Sequence, residues 1–419
     1  MALPLTHTRR SAVFAATALL LAGCTAAPMQ DDPAATGPTM PQSSASGEPT
    51  AAPSSTPSTP SRTLSVNTSG DILWRPGLYE PAQQPDGSYD FLPQIESLTP
   101  FVQQADLAIC HHEVVIQADG GPYTGYPRFR SPKESVDALA EVGFDACTTA
   151  SNHTNDGGFA GLVRTLDTLE AAGLETAGTW RSREEAQMPD LMTTEQGVVV
   201  GIVSQTYALN GIPSEPGTEW SVDLLDPDKA IADAKKAREA GADVVIYHMH
   251  AGDEYTHIPN AEQEEVATRV ATSGAVDLII GQHPHWVQPI DRIAGVWVIY
   301  STGNLMTSME GETPGTHDGA MVQVDFTETP EGGFEVSDLT WAPTYIVTRW
   351  NDPTGATDPR VLLIPDELAD PKKAATMDPD LRARLEASAA RTREVITRRI
   401  SQGLTERTAA DVRAGRTQG

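Results

Sequence analysis

Five polar motifs each stand where an apolar strand would end: Gly70-Asp71, Cys110-His111-His112-Glu113, Ser151-Asn152-His153, His248-Met249-His250 and Gly281-Gln282-His283-Pro284-His285. Carboxylate, amide and imidazole groups gathered from strand ends are the donors a two-cation hydrolytic centre needs. Two divalent ions held ~4 Å apart require several oxygen and nitrogen ligands and one bridging group. His248 and His250 lie two apart on an expected strand, so both side chains leave one face. His283 and His285 have the same spacing, with Pro284 stiffening the turn between them. A lone histidine at a strand end is more often a hydrogen-bonded structural group than a ligand. Several of them beside Asp71, Glu113 and Asn152 point to a metal site.

The elements that must position these residues follow from the apolar periodicity. Leu64 to Gly70 reads as a strand leading into Asp71, Ala105 to Cys110 as a buried strand, and Phe144 to Thr149 as another ending just before Asn152. Phe159, Leu162, Val163, Leu166 and Leu169 recur at helical spacing until Gly173 stops the helix. Val198 to Val203 is a β-branched run, followed by a helix over Asp228 to Ala240, a strand over Asp243 to His250, a helix over Ala261 to Thr272 and a strand over Asp277 to Ile280. This alternation predicts an α/β sandwich with a largely parallel core. Val296 to Tyr300, Met321 to Phe326, Phe334 to Leu339 and Tyr345 to Trp350 then read as consecutive strands of an antiparallel sheet.

The ends of the chain read differently. Arg9 and Arg10 precede an apolar run, Ala12 to Ala22, that is too short for a permanent span and has the layout of a secretory signal. The arginine pair also hints at twin-arginine export, though the residues after it fit poorly. From Thr25 to about Ser61 the chain is Ala, Pro, Ser and Thr, with too little apolar area to offset ordering entropy, and is expected to be an extended tether. Leu381 to Ile400 is an Arg- and Ala-rich amphipathic helix whose expected role is packing against the domain, with a partner-binding arm as the alternative. The formal charge of −28, from 29 basic and 57 acidic residues, argues against nucleic acid as a partner. Cys110 and Cys147 lie near the ends of expected strands; a disulfide is open to them if those strands are neighbours, and two buried thiols are the alternative.

Two resemblances add to this reading. Leu21-Ala22-Gly23-Cys24 resembles the bacterial lipoprotein cleavage box, which implies lipidation of Cys24 and a protein held by its lipid on the outer face of the cell membrane; an unmodified cysteine is the alternative. Gly70-Asp71-Ile72, Ala105-Asp106-Leu107 with Glu113, Ser151-Asn152-His153 with Asp156 and Gly157, His250-Ala251-Gly252 with Glu254-Tyr255, Gly281 with His283-Pro284-His285, and Gly303-Asn304 follow in an order that resembles the CapA family of capsule-synthesis proteins. That family is associated with poly-γ-glutamate and is similar to calcineurin-like metallophosphoesterases. The resemblance covers about Thr63 to Thr307 and implies a four-layer α/β/β/α metallophosphoesterase-like sandwich with an antiparallel second sheet. The expected organisation is a signal peptide over 1–24, a tether over 25–61, the domain over 62–350 and a helical extension over 351–419.

Carried over by motif, Asp71 would ligate a first divalent cation, Glu113 would lie near or between two, Asn152, His250 and His283 would hold the second, and His285 would return to the first. His153 would be the general acid, oriented by Asp156. Three departures stand out. Leu73 occupies a position where the wider phosphoesterase pattern has histidine, as is usual in the capsule family. His111-His112-Glu113 replaces the common Asn-Leu-Glu, so that His111 is expected to supply the nitrogen Leu73 cannot. Ala251 replaces a common tryptophan and is expected to open that wall of the pocket. Arg128 and Arg130, in a turn-rich aromatic loop, suit an anionic substrate, with a surface loop pinned by Phe129 as the alternative; Asn304 is a further substrate-binding candidate. The ligand types suit manganese, zinc and iron alike. Three functional classes are open: a metal-dependent phosphoesterase-like protein acting on a phosphoester or an anionic capsule polymer, a metal-dependent γ-glutamyl amide hydrolase, and a noncatalytic assembly factor working with other capsule-synthesis proteins.

Overall fold

The computed structural model describes residues 61–309, 313 and 315–414; the signal-like run, the tether and Cys24 lie outside the described residues. Strands β1 (Thr63–Ile72), β2 (Leu107–His112), the short pair β3 (Val115–Ile116) and β4 (Arg130–Ser131), β5 (Ala146–Thr148) and β6 (Glu175–Ala177) come first. β7 (Asp190–Thr193), β8 (Val199–Thr206), β9 (Val244–His250), β10 (Leu278–Gln282), β11 (Ile290–Ile293) and β12 (Val296–Ile299) follow. β13 (Asn304–Met306), β14 (Asp318–Glu328), β15 (Phe334–Val347), β16 (Arg360–Leu363) and β17 (Thr405–Glu406) complete the set.

One sheet has the order β16-β15-β14-β1-β2-β5-β6, with β13 on β1 and β17 on β15; the other has the order β11-β12-β10-β9-β8-β7. Within each, the strands nearest the motifs are parallel: β1-β2-β5-β6 in the first and β8-β9-β10-β12 in the second. Alternation along the strands makes the layers. Val66, Ile109, Val200, Ile246 and Ile280 fill the space between the sheets. Tyr247, Val245 and Ile279, one residue out of step, pack on the outer face against Ala230, Ala234, Val266 and Val270 of the helices Pro227–Glu239 and Ala261–Thr272. On the far side Cys110, Cys147 and Ile72 pack under Phe101, Val136 and Leu139. Both faces of these strands are covered, which is why they read as unbroken apolar runs. The result is the expected four-layer α/β/β/α sandwich.

Two expectations about the later strands need correction. The antiparallel strands extend the sheet that carries β1, because β14 pairs along Thr63 to Thr68 of that strand, so both sheets are mixed. Phe334 to Leu339 and Tyr345 to Val347 belong to one continuous strand, β15, with Pro343 inside it. On the edge of β15 away from β14, β17 pairs through Thr340 and Trp341 and β16 from Thr344 to Val347, so the proline, lacking an N–H, falls between them. Residues 351–414 contribute β16 and β17 to this sheet, and the helix Pro379–Ile396 packs Leu381, Leu385 and Ala389 against Tyr345, Val347 and Leu362. Arg391 on that helix forks onto the buried Asp318 at 2.8 and 2.9 Å. Among the described residues no helix is long and apolar enough to cross a membrane.

Cys110 and Cys147 face each other directly across β2 and β5, 4.4 Å apart at Cα, and are joined by a disulfide. A cross-link over a sequence separation of 37 residues restricts the unfolded chain, and removing it with Cys110→Ala and Cys147→Ala should cost about 2–4 kcal/mol in urea unfolding. Alkylation of the unfolded chain without reductant should label neither cysteine; labelling of both would show that the pair is reduced.

Candidate metal centre

All five motifs emerge at the carboxyl edge of the parallel strands, the position where open α/β sheets gather ligands. Asp71 closes β1 at the point where β13 replaces β14 as its neighbour, and its N–H donates to the Gly303 carbonyl at 2.9 Å. That approach is close: a Cβ on Gly70 would come within 2.3 Å of the Gly303 oxygen. The Asp71 carboxylate in turn accepts the backbone N–H of His283 from the other sheet, at 3.2 Å to each oxygen. Past β10 the chain bends sharply, with His283 at φ +100° and His285 at φ +57°. Left-handed backbone at two non-glycine residues costs energy and marks a place where the surroundings dictate the conformation. The Tyr255 N–H, itself on a residue at φ +61°, donates to the intervening Pro284 carbonyl at 2.8 Å.

Four overlapping sets of donors offer ligand atoms within 4.8 Å of one another: Asp71, Glu113 and His285; Glu113, His250 and His283; Asp71, His111 and His250; and Glu254, His283 and His285. Glu113 Oε1 lies 3.8 Å from His285 Nε2 and 3.9 Å from His250 Nε2. The Asn152 amide oxygen joins the second set, 2.8 Å from His250 Nε2. Glu113 is buried, and neither of its carboxylate oxygens has a hydrogen-bond partner; nor has His283 Nδ1. A buried carboxylate without donors is costly unless a cation supplies the missing charge. The chemistry of these residues therefore fits metal binding.

The electrostatics agree with that fit. Burial pushes the Glu113 carboxyl well above its usual range. Burial, reinforced by neighbouring imidazoles, holds His250 and His283 well below the ordinary histidine value, so both keep a lone pair at neutral pH. His285 behaves in the opposite way: burial works against its charge, but Glu113 and Asp71 outweigh that and raise it to about 10. The protein alone thus places an imidazolium where a cation would otherwise balance two carboxylates.

Most of the expected site residues meet here. His153 Nδ1 lies 2.7 Å from Asp156 Oδ2, which also accepts the Phe129 N–H at 2.6 Å, and the Phe129 ring stands edge-on to the imidazole with centroids 4.6 Å apart. A cleft of about 750 Å³ opens over the centre, walled by Asn152, His153, His285, Arg75, Arg128 and Tyr255. Arg128 extends its exposed side chain there. Arg130 does not; its guanidinium donates to the Asp156 carbonyl at 3.2 Å and braces the loop. Asn304 is also not at the cleft: it is fully buried, with its amide oxygen 2.9 Å from His285 Nδ1 and its amide nitrogen donating to the His285 carbonyl at 3.0 Å, so it orients His285. Ala251 is buried under the helices of the second sheet and forms no wall of the cleft. His111 reaches the cluster, with Nε2 2.9 Å from His250 Nδ1 and 4.0 Å from Asp71 Oδ1. His112 points away into a small space beside Val115 and Leu162. His248 contacts Ser204 and Thr148 and belongs to none of these donor sets.

Sequence reasoning passed over Asn210, Arg75, Thr148 and Ser204. Asn210 carries φ +51° and accepts from the Asn152 amide at 3.3 Å; the Asn210-Gly211 dipeptide is a turn signal that could have located it. Arg75, Thr148 and Ser204 carry no such mark.

A four-layer sandwich with overlapping donor sets at the carboxyl edge of its strands defines a metallophosphoesterase-like fold class. Residues 65–309 match the family described as bacterial capsule synthesis protein PGA_cap, and the chain belongs to that family. It is 31% identical over 208 residues to the PGA biosynthesis protein CapA of Bacillus subtilis, covering 49% of this chain and 53% of the relative. It is 31% identical over 198 residues to the capsule biosynthesis protein CapA of Bacillus anthracis, covering 46% of each. The chain thus spans about half the length of these relatives. Among solved structures, the calcineurin-like phosphoesterase YfkN from Bacillus subtilis aligns with 78% of this chain and 99% of its own, at 16% identity and a TM-score of 0.41.

If Glu113 bridges two cations, Glu113→Gln should bind at least one ion fewer per chain by elemental analysis. Its metal-free form should melt no lower than wild type, because the substitution removes a buried carboxyl that no hydrogen bond satisfies while His285 keeps Asp71 Oδ2 3.3 Å from its Nδ1. Undiminished metal content in this variant would remove Glu113 from the centre.

Proposed function

We propose that this protein is a membrane-tethered, metal-dependent phosphoesterase-like factor acting in the synthesis or export of an anionic envelope polymer of the poly-γ-glutamate type. The observation that carries the reading is the Glu113 carboxylate, buried without a hydrogen bond between two groups of imidazole and carboxylate donors. The relatives' names concern capsule and PGA biosynthesis, which supports the polymer assignment. Lipidation of Cys24 belongs to the same proposal, and the Cys110–Cys147 disulfide is in keeping with a location outside the cytoplasm.

In this reading Asp71, Glu113 and His285 hold the first cation, while Glu113, Asn152, His250 and His283 hold the second. When bound, two divalent ions supply a water acidic enough to act as hydroxide near neutral pH and neutralise charge developing on the substrate. The chain's own groups do the rest. Asp156 keeps the proton of His153 on Nδ1 or shares it there, leaving Nε2 to protonate the departing atom. Phe129 packs against that ring and limits its rotation. Arg128, with no side-chain hydrogen bond or ion pair among the described residues, offers a planar fork to a carboxylate or phosphate entering the cleft. Because the chain as a whole is strongly acidic, a polyanion needs such a local cationic group to bind.

Manganese-loaded protein should hydrolyse a generic phosphodiester, and His153→Ala should lower that turnover by ~10²-fold or more with metal content unchanged. Release of glutamate from γ-linked oligomers in its place would move the chemistry to an amide carbonyl. Inertness toward both substrates at full metal occupancy would make the protein a noncatalytic assembly factor.

A further inference from the structure

His111 Nε2 lies 2.9 Å from His250 Nδ1, and its Nδ1 lies 2.9 Å from the Thr148 hydroxyl. Thr148 Oγ1 is in turn 3.3 Å from His248 Nε2, and His248 Nδ1 is 3.0 Å from Ser204 Oγ. These residues form a continuous chain through the layer between the sheets. His111 and Thr148 are register partners on β2 and β5; Ser204 and His248 are register partners on β8 and β9. Every member is at most 2% exposed, so water does not interrupt the sequence of contacts.

A neutral imidazole has one N–H and one lone pair, so a chain of such rings has a direction, and one end sets the rest. Without metal, His250 Nε2 can only donate to the Asn152 amide oxygen, 2.8 Å away, because that oxygen has no proton to give. His250 Nδ1 then accepts from His111, which accepts from Thr148, which accepts from His248, which accepts from Ser204. A cation on that side of His250 would require the opposite: Nε2 would present its lone pair, so the proton would sit on Nδ1 and the His250–His111 and His111–Thr148 bonds would reverse, with the Thr148 hydroxyl donating to the Cys110 carbonyl, 3.4 Å away, or to His248. His111 Nε2 must then accept the His250 N–H, and its only lone pair there is no longer available to a metal.

We propose, resting on the metal-centre reading above, that His111 is a positioning residue and not a ligand. The relay His250–His111–Thr148–His248–Ser204 fixes the His250 tautomer that faces the second cation. This replaces the expectation that His111 makes good the donor missing at Leu73. His111 also offers a ligand atom within 4.8 Å of Asp71 and His250, but with its Nε2 engaged by His250 the first cation is left with Asp71, Glu113 and His285 as its protein ligands and with open positions for water or substrate.

The test loads the full chain with NMR-active cadmium and reads scalar coupling to labelled imidazole nitrogens. Coupling is expected at His250, His283 and His285 and absent at His111, whose proton should reside on Nδ1. Thr148→Val and His111→Phe should still bind both cations at saturation, with affinity for the second weakened ~10–100-fold. Cadmium coupling at His111, or loss of one cation from a folded His111→Phe variant, overturns the relay and leaves the metal centre standing. Unchanged affinity in Thr148→Val overturns it as well, should His111→Phe not fold. Absence of coupling at every histidine overturns the centre and the relay together.

Discussion

A carboxylate buried without hydrogen-bond donors is the constraint on which this site depends. Glu113 sits between two sheets with neither oxygen satisfied, beside Asp71, which is also fully buried. In so dry a layer two negative charges persist only if positive charge is delivered to them. The protein's own contribution is one imidazolium at His285, held charged by these carboxylates against the effect of its burial. Burial lowers His111, His250 and His283 well below the ordinary histidine value for the same reason that Glu113 is frustrated: water is excluded. A single physical condition therefore produces both the need for cations and the lone pairs that would bind them.

The fold meets that condition by making two sheets end together. Neither sheet holds a complete donor set. Asp71 and Glu113 come from the β1 and β2 side, His250, His283 and His285 from the β9 and β10 side. The sheets are locked in relative position at that edge by the Asp71 carboxylate on the His283 N–H and by the Gln282 side chain on the Ser69 carbonyl. The strained backbone at His283 and His285 is tolerated because these contacts over-determine it. Asn304 and Asp156, one layer out, hold His285 and His153 in single orientations, so the polar groups around the cleft are arranged before any substrate arrives.

The later half of the chain shows how the two sheets are completed. β14 and β15 widen the first sheet beyond β1, and the C-terminal helix covers them with Leu381, Leu385 and Ala389. The Arg391 fork onto Asp318 ties that helix to the start of β14. Residues far from the motifs thus brace the strand against which β1 is aligned, and through it the placement of Asp71.

Much of this was legible beforehand. Unbroken apolar runs such as Val244 to Tyr247 could only be strands covered on both faces, and polar motifs at their ends could only meet at one edge of a parallel sheet. What the residues alone left open were questions of partnership across the layer. Asn304 and Arg130 looked like substrate contacts because their types suit that role, but which way a side chain faces depends on the register of its strand. β13 turns Asn304 inward to His285, and β4 turns Arg130 to the Asp156 carbonyl. His111 reads as a ligand because imidazole is a ligand type, and it does stand with Asp71 and His250; only the fold shows that its Nε2 also lies 2.9 Å from His250 Nδ1. The sequence by itself determined the donor types, the strands and the edge at which they gather, because these follow from local periodicity and side-chain chemistry. The tertiary structure alone decided which donors stand within reach of one another and which orient a neighbour, because that depends on distances between residues set by two different sheets.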